Sequence, residues 1–144
     1  MKRFEFSLQK VLDFKNQTLD ALMGELGEMR LRLTKMEEKI EQLERHYADL
    51  GAELREKYAA GVAVSEVASI RVFQDSLNSQ IKALIKKKLD MLRLIALKQQ
   101  QIIEVKSSVS GLEKLKEKQL SDYNRRVQKS EEAFIDELVS HAMG

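Results

Sequence analysis

The sequence predicts an all-α protein: a long two-helix antiparallel coiled-coil hairpin with an overhanging C-terminal helix. Three observations predict it. Apolar residues step by three and four without a miss through Leu19, Leu22, Leu26, Met29, Leu33, Met36, Ile40, Leu43, Tyr47, Leu50 and Leu54. A stripe this narrow is buried only against another helix. The chain contains no proline and only six glycines, so almost every residue can take its place in a helix. A single glycine-bearing break at Ala59–Ser65 precedes a second apolar series.

Taken in order, Phe4, Leu8, Val11 and Leu12 lead into the first stripe, with Lys15 at a core position. The first helix is expected over about 4–58 and the turn over about 59–65. Gly61 suits a left-handed helix stop, and the Ser65 hydroxyl suits the cap of the next helix. Glu66 then sits at the positive end of the new helix dipole. The second helix is expected over about 66–142, in a single coiled-coil domain covering 1–144. Its series reads Val67, Ile70, Phe73, Leu77, Ile81, Leu84, Met91, Ile95, Ile102, Val105, Val109 and Leu112, interrupted by Lys88 and Lys98. Beyond Leu112 the phase is expected to slip and resume at Leu120, Tyr123, Val127, Phe134, Leu138 and His141. The serines and glycine of 107–111 lower helix propensity and mark a place where this helix could bend.

Folding about a turn near Val62 sets opposed residues at numbers that sum to about 124. Roughly twenty residues after Leu120 are then left without an intramolecular partner, an overhang on the order of 30 Å. Its apolar stripe should either fray or bind something. Ile85, Leu89, Leu92, Leu94 and Leu97 lie outside the two-position seam, so they either share the hairpin contact or form a third surface.

A composition of 43% hydrophobic, 33% charged and 6% aromatic residues suits amphipathic helices better than a single compact core. The chain has no cysteine, which removes disulfides and thiolate chemistry and fits a reducing compartment such as the cytoplasm. No stretch approaches the ~18 apolar residues of a membrane span. Gln9, Lys10 and Asp13 break any leader-like run behind Lys2 and Arg3, so the mature chain is expected to begin at Met1. A net charge of +2 argues against a dedicated nucleic-acid binder.

Catalytic, cofactor-binding and metal residues are not expected. His46 and His141 are far apart in sequence, and neither is followed four residues later by a ligand-type residue. Gly24 and Gly27 lie inside heptads, with no phosphate-loop lysine after them. Glu28 with Arg32, Glu41 with Arg45, and Glu53 with Lys57 read as pairs one helical turn apart on solvated faces. Lys82, Lys86, Lys87, Lys88, Arg93 and Lys98 face only Asp90, a local net charge of +5. Such a patch is a solvated face, or it meets an acidic protein surface or anionic lipid headgroups. Lys114, Lys116, Lys118, Arg125, Arg126 and Lys129 continue it toward the overhang.

The opening Phe4-Glu5-Phe6-Ser7-Leu8-Gln9-Lys10-Val11-Leu12-Asp13 resembles the start of the bacterial flagellar export protein FliJ family. The Ala60-Gly61 turn, the Phe73 and Leu77 pair and the segment from Leu115 to Tyr123 extend that resemblance over nearly the whole chain. It implies a non-enzymatic, soluble component of the flagellar type III protein export apparatus, serving motility and chemotaxis. The implied location is cytoplasmic, peripheral on the inner membrane at the flagellar base. The family resembles the central stalk of rotary ATPases. By that likeness, the end carrying both termini enters a hexameric export ATPase. The other half meets the cytoplasmic domain of the membrane export gate and escorts substrate chaperones. The implied ATPase ring contacts are Phe4, Phe6, Tyr123, Arg125, Arg126 and Phe134. The implied gate contacts are Leu43, Phe73 and Leu77, which also read as seam residues, while His46 and Leu50 stand where related proteins can carry tyrosines. The rival readings are the equivalent stalk of a virulence injectisome and a generic structural coiled coil.

Overall fold

Two helices carry the structure, a computed structural model that describes residues 2–143: α1 (Gln9–Ala60) and α2 (Val64–Met143). The expected start at Met1, like Gly144, lies outside the described residues. No strand occurs among them, and the two helices form the all-α hairpin that the heptads predict.

α1 begins at Gln9, not at the expected Phe4. Side chains two residues apart on a helix point to nearly opposite faces, so Phe4 and Phe6 could not both reach α2 from helical backbone. Irregular backbone lets both do so. The Gln9 amide donates to the Phe6 carbonyl at 3.0 Å, and the Leu12 amide donates to the Leu8 carbonyl at 3.0 Å, turning the arm into the helix.

Gly61 takes the left-handed conformation expected of it, with φ +73°. Its amide donates to the Tyr58 carbonyl at 3.3 Å, and the Val62 amide donates to the Lys57 carbonyl at 3.2 Å. These two bonds are the Schellman closure, which satisfies carbonyls that a helix end otherwise leaves open. Ser65 is not the cap. α2 starts one residue earlier, and the Ala63 carbonyl accepts from Glu66 and Val67. Within the helix Ser65 uses its own carbonyl to accept from the Ser69 hydroxyl. An L residue at φ +73° costs about 1–2 kcal/mol. Gly61→Ala should therefore lower stability by about that amount although space around it is open, as a urea midpoint shift would measure.

The packing falls into two compact units, residues up to Leu22 with those from Gln101 onward, and Met23–Gln100. In the second unit Ile40, Leu43, Leu77 and Ile81 are buried together, with Leu50 and Leu84 against them. Leu43 with Ile81, and Ile40 with Leu84, match the opposed numbering expected for the hairpin. In the first unit the buried residues are Phe6, Leu12 and Val109, with Phe4, Val105 and Leu112 packed on them. Leu12 with Leu112 again fits that numbering. Of the stripe from Leu19 to Leu54 only Tyr47 is exposed, at 41%, and of the residues expected to lead into it Leu8 and Val11 are exposed as well.

On α2 the structure corrects two expectations. Gln74, half-buried, occupies the seam in place of Phe73, which is 63% exposed. The step of three from Val67 to Ile70 must be followed by a step of four to stay on one face, and that step lands on Gln74. The phase does not slip after Leu112, since Val109, Leu112, Lys116, Gln119 and Tyr123 keep the three-four stride and are buried or half-buried. Leu120 is exposed. Helix α2 runs unbroken through 107–111. Lys88 and Lys98 take seam places half-buried, laying their methylenes on the stripe while the ammonium reaches water or a carboxylate.

Candidate partner-binding surfaces

In the first unit, the N-terminal arm and α2 build a distinct end. The Phe4 ring lies 5.6 Å from that of Tyr123, tilted by 47°, a spacing at which aromatic pairs attract. The Tyr123 hydroxyl donates to the backbone carbonyl of Lys2. Beside this contact a groove of about 550 Å³ is lined by Lys2, Arg3, Arg125, Arg126 and Lys129, with Glu5 and Asp122 as its acidic members. Five cations over two carboxylates favour an anionic surface there. From Asn124 to Met143 every residue but Val127 is exposed. Phe134, Ile135, Leu138 and Val139 thus stand in solvent, with Ser130, Glu131, Phe134 and Ile135 around a shallow hollow. The overhang predicted from the folding arithmetic is present.

The residues implied as ATPase ring contacts therefore divide. Arg125, Arg126 and Phe134 are exposed, Tyr123 and Phe4 are half-buried against each other, and Phe6 is 7% exposed inside the core. The basic groove is not legible in the sequence, because Lys2 and Arg3 are more than a hundred residues from Arg125 and only the folded arm brings them together.

In the second unit, Leu43 and Leu77 are interior residues of one cluster, while Phe73 points outward. His46 is exposed and Leu50 packs on the cluster. Next to them, Glu44, Tyr47, Asn78 and Ile81 line a groove of about 230 Å³. Polar contacts fasten the two helices on either side. The Gln74 side-chain amide donates to the Tyr47 carbonyl at 3.4 Å. Arg71 donates to the Tyr58 hydroxyl at 2.9 Å. Lys57 reaches Glu66 of α2 at 3.3 Å and Glu53 of its own helix at 3.6 Å, and Lys98 reaches Glu25 at 2.6 Å. Arg45 pairs with Glu41, and that hydrogen bond raises the guanidinium pKa further. Exposed pairs of this kind contribute little to stability.

Among the described residues, no three of His, Cys, Asp or Glu gather as a metal site. No helix there is long and apolar enough to cross a membrane. What the arrangement offers is surface for partners: a basic, aromatic terminal end and an apolar, exposed tail.

No curated protein and no solved structure matches the chain significantly. The family model described as flagellar FliJ protein matches residues 4–144. On that match, spanning the arm, both helices and the tail, the chain belongs to the FliJ family of flagellar export-associated proteins.

Proposed function

We propose that this protein is a non-enzymatic, stalk-like link of the flagellar type III export apparatus. Its terminal end docks in the hexameric export ATPase, its turn-side half meets the cytoplasmic domain of the export gate, and it escorts substrate chaperones. The work is done in the cytoplasm, against the membrane at the flagellar base. The observation that carries this reading is the solvent-facing tail Asn124–Met143, an apolar stripe with no intramolecular cover.

The membership of the family supports it. So does the charge of the terminal groove, because Arg125 and Arg126 are free of ion pairs among the described residues and can form charge-assisted bonds to carboxylates of a ring. Phe134 and its neighbours supply apolar anchors. Near the turn, exposed Phe73 is the gate anchor, and Leu43 and Leu77 hold the helix that presents it. Adding the protein to its cognate export ATPase should raise the hydrolysis rate and the hexamer fraction. If both stay flat over a titration to saturating protein, the stalk reading falls and a generic coiled coil is left.

A further inference from the structure

In the second unit, α2 carries a face that the hairpin does not use. Its seam residues there are Ile81, Leu84, Lys88, Met91 and Ile95, all buried or half-buried. The residues one position further on, Lys82, Ile85, Leu89, Leu92 and Ala96, are all exposed. One residue is a rotation of about 100°, so these five share a stripe along the side of the hairpin. Ile85, Leu89 and Leu92 make its centre apolar. Lys82 closes one end, and Lys86 and Arg93 border it on the side away from α1. Lys82, Lys86, Lys87 and Lys88 have no carboxylate partner among the described residues, and Arg93 has only Asp90 at 3.7 Å.

We propose that this stripe docks an acidic amphipathic helix of a protein partner, which lays its apolar residues on Ile85, Leu89 and Leu92 and its carboxylates on Lys82, Lys86 and Arg93. A helix stripe of this width is filled by another helix laid along α2. The charge identifies the sign of the occupant. Across the seam, the same side of α1 carries Glu37, Glu41 and Glu44. The groove shared by Glu44 and Asn78 shows that these flanks adjoin. A flat anionic membrane would press on those glutamates as well as on the lysines, whereas a single acidic helix can lie over α2 alone. A second copy of this chain meeting it stripe to stripe would set these lysines against an equal positive charge.

The proposal stands apart from the stalk reading, and its test needs no ATPase. The probe is a fluorescent synthetic helix of about 21 residues with leucines at heptad spacing and flanking glutamates. A sister peptide with lysines in place of the glutamates is the control. Both are titrated against the full chain by anisotropy. The acidic peptide should bind, and both Leu89→Ser with Leu92→Ser and Lys86→Glu with Arg93→Glu should weaken it about tenfold or more. Leu94→Ser with Leu97→Ser, on the opposite flank, should leave it unchanged. All these side chains are exposed, and helical circular dichroism at an unaltered melting temperature checks that each variant folds. The proposal is overturned by affinity that ignores both stripe pairs, or by preference for the basic peptide. Capture by phosphatidylserine vesicles without peptide binding overturns it too, as does a dimer in sedimentation that Leu89→Ser dissolves.

Discussion

A chain ending at Tyr123 is expected to lose its stimulation of the export ATPase while keeping the hairpin's stability. The two halves of this result come from one fact, the exposure of Asn124–Met143 apart from Val127. A segment whose one covered side chain is the half-buried Val127 adds little to the folded state beyond its own helix, which frays when short of tertiary support. The urea midpoint should therefore move by less than about 0.2 M. The same segment carries Phe134, Ile135, Leu138 and Val139 exposed. Its removal takes away the anchors together with Arg125, Arg126 and Lys129 of the basic groove, leaving Lys2 and Arg3, whose contacts are screened by salt. Phe134→Ser with Leu138→Ser in the intact chain should reproduce most of the loss. Full stimulation by the shortened chain would place the ATPase contact elsewhere.

A second large effect separates Leu77 from Phe73, four residues apart on α2. Leu77 sits in the cluster with Ile40, Leu43 and Ile81, so Leu77→Ala removes buried methylenes and leaves a cavity, at a cost of about 2–4 kcal/mol. Phe73 is mostly in solvent, and Phe73→Ala should change stability by no more than about 0.5 kcal/mol. Binding to the gate's cytoplasmic domain should respond in the opposite sense. Phe73→Ala should weaken it with the fold intact, whereas Leu77→Ala should weaken it only in step with unfolding, as urea titration alongside the binding assay would show. Equal loss of stability in both variants would put Phe73 back in the seam.

The sequence made the hairpin legible because its rules are local. Three-four stepping announces a seam, and Gly61 announces the reversal, since few other residues tolerate φ +73°. The places that escaped are those where the chain departs from a single rule. The spacing of Leu8 and Leu12 places Phe4 and Phe6 in helix, yet their separation of two is the spacing of extended backbone. Hydrophobicity places Phe73 in the seam, although strict alternation of strides points to Gln74. The stride through Lys116 and Gln119 was hidden by polar residues in inner positions, where the arm rather than α1 covers them, as Lys116 beside Phe4 and Phe6 shows. Among the site residues, exposure decided what residue type could not. Leucine at 43 and 77 and phenylalanine at 6, 73 and 134 are equally apolar, and only packing tells which of them remain available.

The tether between the arm and α2 draws on unequal atoms. Tyr123 contributes its side chain, while position 2 contributes a main-chain oxygen that every amino acid possesses. Homologous sequences can therefore drift freely at position 2 without severing the link, but a phenylalanine at 123 would keep the ring and cut the bond.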